Sequence, residues 1–205
     1  MDRLIEGYRR FKTQRWLYQR ELYAELADNH RPRVMVIACC DSRVDPATIF
    51  DGRPGEIFVI RNVANLVPPF HQGEGLHGTG AAIEFGITQL KVSTVLVMGH
   101  ARCGGIAAAL APQLPEGTTF LADWIALIDP ALRERARAEA DPGTRLERES
   151  IRVSLQRLMT YPCIAEAVDR GELRLAGARF GIADGELEIL DPASGRFIAG
   201  GDQRS

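Results

Sequence analysis

Apolar positions in the first part of the chain recur at helical spacing. Leu4, Tyr8 and Phe11 form one stripe and Leu22 and Leu26 another, with Arg, Lys and Glu between them. That pattern predicts a helix over residues 1 to about 28. Trp16, Tyr18 and Tyr23 add aromatic surface that is large for a terminal segment. It can be spent on packing against the same domain or on an arm laid across a second subunit. Asn29 to Pro32 breaks the helix. The pattern then changes: Val34 to Ala38 is an unbroken apolar run and Ile57 to Ile60 a second, while Val92 to Met98 is rich in β-branched residues. Such runs read as buried strands. Ala81 to Leu90 and Gly104 to Leu110 read as helices between and after them. Strand and helix in alternation predict a mainly parallel sheet flanked by helices, an α/β fold with an N-terminal helical arm. Pro130 to about Met159 is helical, with a break near Asp141-Pro142-Gly143, and its Arg and Glu run reads as a solvated face. Leu173 to Leu175 and Leu187 to Leu190 read as a strand pair at the end of the sheet.

Length and composition narrow this further. The chain has 205 residues and shows no repeat or linker, so one domain is expected over 1–205, with a helical arm at 1–28 and an α/β core at 33–205. A net charge of -2 gives no footprint for nucleic acid or a membrane surface. No apolar run approaches the length of a membrane span, and the polar start Met1-Asp2-Arg3 favours the cytoplasm over export. Four cysteines (Cys39, Cys40, Cys103 and Cys163) are too few and too irregular for a secreted disulfide framework, which leaves metal or catalytic roles.

The candidate chemistry sits where two of the predicted strands end. The first run closes on Cys39-Cys40-Asp41-Ser42-Arg43, and the third on His100-Ala101-Arg102-Cys103-Gly104-Gly105. Ligands in open α/β sheets collect at the carboxyl ends of strands, so clusters about 60 residues apart in sequence can meet at one edge. Cys39, His100 and Cys103 supply two thiolates and an imidazole, a set that zinc binds tetrahedrally with its fourth position open. If extended geometry persists to Arg43, then Cys39, Asp41 and Arg43 share one side and Cys40 faces the other. Asp41 is the one nearby group able to close the metal site. Arg43 can hold that carboxylate in a bidentate pair and keep it off the metal, leaving Asp41 to orient a metal-bound water.

Cys39-x-Asp41-x-Arg43 followed by His100-x-x-Cys103-Gly104-Gly105 resembles the β-class carbonic anhydrases. The resemblance extends through Gly55-Glu56-Ile57-Phe58, Arg61-Asn62-Val63-Ala64-Asn65, Gly78 to Glu84 and Leu90-Lys91-Val92. It implies zinc-dependent, reversible hydration of carbon dioxide to bicarbonate and a proton by zinc-bound hydroxide. It also implies one zinc per subunit on Cys39, His100 and Cys103, a catalytic dyad of Asp41 and Arg43, and a homodimer or homotetramer whose N-terminal helices embrace the neighbour. By the same resemblance His30, Phe58, Val63, Phe85 and Gly104 fall at substrate-pocket positions. His30 stands where plant-like relatives carry Gln, and Phe85 where they carry Tyr.

One branch of that family closes its site with the Asp and holds regulatory bicarbonate on a Trp, an Arg and a Tyr. Those positions fall here on Val36, Arg61 and about Phe180, so the open, plant-like type without that regulatory site is expected. Two other functions use the same metal set: hydrolysis of carbonyl sulfide or carbon disulfide, and non-catalytic binding of bicarbonate. Gly73-x-Gly75-x-x-Gly78 matches a dinucleotide fingerprint, but it follows Pro68-Pro69 and a polar loop rather than a strand, so nucleotide binding is not expected. His71 and His77 flank this loop as surface residues or accessory proton carriers.

Overall fold

The computed structural model describes residues 1–71 and 77–202. Gly73 and Gly75 of the glycine fingerprint lie outside the described residues. The apolar runs become strands β1 (Val34–Cys39), β2 (Ile57–Asn62) and β3 (Thr94–His100), joined by β4 (Arg174–Phe180), β5 (Leu187–Leu190) and β6 (Phe197–Ala199). The described residues form a six-stranded sheet in the order β2-β1-β3-β4-β5-β6. β1 pairs in parallel with β2 and β3, and β3 in parallel with β4, while β5 and β6 are antiparallel additions. The sheet is therefore mainly parallel, and its central strand β1 is buried along almost its whole length because helices cover both faces.

The helices are α1 (Asp2–Arg10), α2 (Leu17–Asp28), α3 (Pro46–Ile49), α4 (Gly78–Thr88), α5 (Gly104–Leu110), α6 (Phe120–Ile125), α7 (Pro130–Arg137), α8 (Pro142–Leu158) and α9 (Pro162–Asp169). Side-chain alternation along β1 sends Met35 and Ile37 to one face and Val36 and Ala38 to the other. On the first face they meet Ile83 of α4, Ile151 and Leu158 of α8, and Ile164 of α9. On the second they meet Ile106 and Ala109 of α5, Ile125 of α6, Ala136 of α7 and Leu146 of α8. The break expected near residue 141 is a cap: the Asp141 carboxylate accepts from Thr144 N at 3.0 Å and Pro142 opens α8.

The arm is helical from Asp2 to Asp28, with a π-helical stretch at Phe11–Trp16 joining α1 to α2. Among the described residues of these elements none is buried. Leu4 is 73%, Tyr8 59% and Tyr18 89% exposed. Leu26 at the end of the arm lies against Gly55, whereas the apolar side chains nearer its start are left exposed by their own domain.

The charged run of α8 departs from the solvated face expected of it. Glu147 is 4% exposed and accepts from Arg179 Nε at 2.8 Å. Arg179 also reaches Glu188, which Arg148 engages. One side of α8 packs against β4, so the carboxylate and guanidinium it carries there are buried as partners rather than hydrated.

Candidate metal centre

β1 ends at Cys39 and the chain leaves the sheet at once. Cys40 N still donates to Asn62 O at 2.9 Å, and then Val44 N donates to Asp41 O at 3.1 Å and closes a turn. Extended geometry therefore does not reach Arg43, and alternation is not what sets the carboxylate beside the guanidinium. The turn does so: Asp41 Oδ1 accepts from the backbone N of Arg43 at 3.0 Å and from its Nε at 2.9 Å, and Oδ2 accepts from Nη2 at 2.7 Å. These bonds hold the Asp41 carboxyl far below the usual carboxylate range, so it is an anion at any working pH. Arg43 Nη2 also donates to Arg102 O at 3.1 Å, which ties the first cluster to the second.

β3 ends at His100. Arg102 takes a left-handed turn (φ 55°) and Cys103 caps α5. His100 is 1% exposed, and its Nδ1 lies 2.9 Å from Ala101 O. That carbonyl can only accept, so Nδ1 carries the proton and Nε2 presents a lone pair. Nε2 is buried and has no partner. The sulfurs of Cys39 and Cys103 lie 3.8 Å apart, and one ligand atom from each of Cys39, His100 and Cys103 lies within 4.8 Å of the others. The Cys103 hydrogen bond pulls the Cys39 thiol down, against burial. Cys103 is pushed up, chiefly by the same bond. The two thus form one thiolate–thiol pair, which a cation would convert to two thiolates. Burial opposes charge on His100, yet the neighbouring Cys39 thiolate outweighs it and raises the imidazole. An orphaned lone pair facing two thiols in a buried pocket is the donor set of a soft or borderline metal. Asp41 Oδ2 stands 4.0 Å from His100 Nε2, at the edge of this set.

Three surrounding features hold the cluster; of their residues Arg61 and Val63 are named above for other roles, and none for these contacts. A 3₁₀ turn at Val63–Asn65 places two consecutive buried residues, Ala64 (φ 62°) and Asn65 (φ 49°), in the left-handed region. Asn62 clamps it, its amide donating to Leu66 O at 2.9 Å and its carbonyl accepting from Leu66 N at 3.0 Å. Glu147 Oε1 faces Cys103 N at 3.4 Å from behind. Arg61 Nε donates to Cys39 O at 3.0 Å, and its Nη2 donates to Asp41 O at 2.7 Å and Val44 O at 3.1 Å. The Asn and Asp side chains before tight turns were the available sequence signal; positive φ at an alanine carries none.

The five expected pocket residues fall into two groups. Val63 and Gly104 lie beside the cluster, in the clamped turn and in the first turn of α5. Phe58 is paired with Met35, four residues before Cys39, which sets it about 13 Å down the strand at ~3.3 Å per residue. Phe85 packs on Phe58 with ring centroids 6.1 Å apart and is 48% exposed. His30 is exposed before the start of β1, at the far end of the sheet from Cys39. Within one chain, His30, Phe58 and Phe85 do not join the metal cluster. His71 and His77 stack edge to face, centroids 4.6 Å apart, at a cleft of about 340 Å³ lined also by Phe70, Glu84 and Tyr161.

A family profile described as carbonic anhydrase matches residues 34–187. The chain is 35% identical over 200 residues to β carbonic anhydrase 3 of Arabidopsis thaliana, covering 93% of this chain and 77% of that protein. The structure of the β-carbonic anhydrase CcaA superposes with a TM-score of 0.90 at 33% identity, covering 97% of this chain and 98% of that one. A tetrameric β-carbonic anhydrase of the filamentous ascomycete Sordaria macrospora superposes with a TM-score of 0.73 at 28% identity, covering 92% of each chain.

Proposed function

Because this chain belongs to the β-class carbonic anhydrases, we propose that Cys39, His100 and Cys103 bind one zinc ion and that Asp41 and Arg43 serve as its catalytic dyad. The protein is a lyase that interconverts carbon dioxide and bicarbonate. The observation that carries the site assignment is the buried, partnerless Nε2 of His100 facing two sulfurs.

Zinc bound by this set supplies a Lewis acid that makes water nucleophilic near neutral pH. The chain's own residues do the rest. Arg43 keeps Asp41 ionised and turned toward its own guanidinium, which would hold the carboxylate off a metal bound by Cys39, His100 and Cys103. An anion held this low accepts hydrogen bonds but carries no proton near neutral pH. Asp41 therefore orients the attacking water by accepting from it, and the proton released on hydration leaves by another route. Val63 and Gly104 are assigned to the substrate side of the site, and a Cβ at Gly104 would meet nothing within 4 Å.

The open type without a regulatory anion site is supported by three residues. Val36 is buried and aliphatic, Phe180 offers no hydroxyl, and Arg61 spends its Nε and Nη2 on backbone carbonyls. Hydrolysis of sulfur-containing substrates and bicarbonate binding without turnover are not favoured, since the relatives named above are carbonic anhydrases.

We read residues 1–205 as one such domain with 1–28 as its arm. A homodimer or homotetramer is supported by the exposed apolar arm, by the separation of His30, Phe58 and Phe85 from the metal cluster, and by the tetrameric relative. A second copy can bring those three residues to a pocket that one chain leaves incomplete. The cytoplasm is supported by the free state of Cys39, Cys40, Cys103 and Cys163. Among the described residues no helix is long and apolar enough to cross a membrane.

The test is stopped-flow hydration of carbon dioxide at alkaline pH with metal analysis on the same sample. Fast turnover with zinc near one per chain is expected. Protein that folds and turns over without binding zinc would overturn the ligand assignment.

A further inference from the structure

We propose that Arg61 is a positioning residue of the hydration site: its guanidinium gathers the loop after β1 so that the Cys39 thiolate and the Asp41–Arg43 pair keep their spacing. The inference rests on the ligand and dyad assignments above and extends them to a residue that touches neither metal nor substrate.

The loop from Cys40 to Asp45 has little backbone bonding of its own. Its ladder contact is Cys40 N to Asn62 O, and its turn bond is Val44 N to Asp41 O. Two of its carbonyls, those of Asp41 and Val44, and that of Cys39 at the end of β1 converge on the Arg61 side chain at 2.7, 3.1 and 3.0 Å. The remaining Nη1 lies 3.5 Å from Asp45 Oδ1, and that same Asp45 caps α3 through Thr48 N at 3.0 Å. One planar fork thus fixes the metal-ligand residue, the dyad carboxylate residue and the end of the loop at once.

Guanidinium suits this task for two reasons. It carries five donors in a fixed plane and never deprotonates, whereas an ammonium is a point charge with freely rotating donors. Its Cα is also anchored, because Arg61 is registered against Ala38, the residue before Cys39, in the β1–β2 ladder. A displacement of the loop would move Asp41 relative to the His100 nitrogen it faces at 4.0 Å. Reacting groups misplaced by about 1 Å lose on the order of 100-fold in rate.

The experiment uses the full chain with Arg61→Lys and Arg61→Ala, each loaded with zinc for kinetics and with cobalt(II) for its thiolate charge-transfer absorption. Loss of outer contacts to a metal ligand costs about 10- to 100-fold in activity. Both variants are expected to keep about one metal per chain, to lose kcat by about 10- to 100-fold with little change in KM, and to shift the cobalt–thiolate band. Added guanidinium is expected to restore part of the turnover of Arg61→Ala. A folded Arg61→Lys protein with wild-type kcat and an unmoved band would overturn the proposal, even if its melting temperature fell. Arg61→Ala that does not fold leaves the decision to Arg61→Lys, and failure of both to fold would assign the residue to stability and reject the positioning role. Failure of the underlying ligand assignment is distinguishable: the wild-type chain would then show no thiolate band, or Cys39→Ser would leave it unchanged.

Discussion

Two adjacent glycines after Cys103 give opposite predictions for the same substitution. A Cβ at Gly105 would stand 2.7 Å from Val63 Cγ1, 2.9 Å from Ala64 Cβ and 3.3 Å from Ala64 N, whereas at Gly104 it meets nothing within 4 Å. Ala64 is wholly buried in a left-handed turn clamped by Asn62, so the turn cannot yield without breaking those bonds. Overpacking of this kind costs roughly 1–3 kcal/mol. Alanine in place of glycine in a helix returns about 0.5–1 kcal/mol. Gly105→Ala should therefore destabilise the protein by a net of about 1–2 kcal/mol, which at this length lowers the melting temperature by roughly 2–8 °C. Gly104→Ala should be neutral or stabilising by up to about 1 kcal/mol. Thermal and urea unfolding of the metal-loaded proteins, compared with wild type, reads both. If Gly105→Ala matches Gly104→Ala in stability, the close approach of α5 to the Val63–Asn65 turn does not constrain the fold and the reasoning fails.

Asp41→Asn removes the anion but keeps the shape, so turnover should fall about 100-fold while zinc content holds; unchanged kcat in stopped-flow assays would remove Asp41 from the mechanism. Glu147→Ala strands the 12% exposed Arg179 guanidinium with only Glu188 and Thr144 as partners, and should cost about 3 kcal/mol in urea unfolding; Glu147→Gln should cost clearly less, and equal losses would refute a charge-based role. Asp141→Ala removes the cap of α8 and should cost about 1 kcal/mol near neutral pH. The Thr144 amide holds that carboxyl below its ordinary value. Its contribution is thus full above the unfolded-state pKa and lost as pH falls through the lower folded one, so wild type and variant should converge in stability as acid is added. A difference that stays constant with falling pH would show that the carboxylate is not the cap.

What the sequence made legible was whatever one kind of periodicity or one short spacing could carry. Val34 to Ala38, Ile57 to Ile60 and Val95 to Met98 are apolar because both faces of a parallel sheet are covered, so β1, β2 and β3 could be read within a residue or two of their ends. The thiol and imidazole clusters at the ends of β1 and β3 could be read for the same reason. Short elements were not: α3 has four residues, β6 three and α6 six, too few for a period to show. Arg43 does lie beside Asp41 as expected, but a turn puts it there, and alternation past the strand end was the wrong reason. The Asp-x-Arg spacing, in which Asp41 accepts the backbone N–H two residues on, was the better local signal. The burial of Glu147 was illegible in principle from its own neighbourhood, since the Arg179 that permits it lies on β4. The left-handed pair Ala64-Asn65 was hidden likewise, because neither residue is the glycine such a turn advertises.

The order of the strands explains why the metal cluster forms where it does. From β1 the chain passes to β2 on one side, and then crosses back to place β3 on the other. The direction of winding reverses between β1 and β3, and the loops leaving their carboxyl ends diverge there and open a crevice. Cys39 is the last residue of β1 and His100 the last of β3, so the reversal alone brings a thiol and an imidazole to the two lips of that crevice. Cys103, the third residue proposed to bind metal, needs only the tight turn Ala101-Arg102, whose left-handed Arg102 directs the chain into α5 with Cys103 at its cap. The proposed dyad fills the remaining side because the β1 loop folds back through Asp41 and Val44, and its Arg43 reaches across the crevice to Arg102 O. Apart from Glu147 of α8 behind Cys103 N, the contacts named at the site join the β1 loop to the β3 loop or fasten one of them to β2. A change that moves either loop should disturb metal geometry and dyad together. Substitutions on β6, or on β5 away from Glu188, should lower stability without shifting the cobalt–thiolate band; a band that moved with them would show that the crevice is not the independent unit its topology makes it.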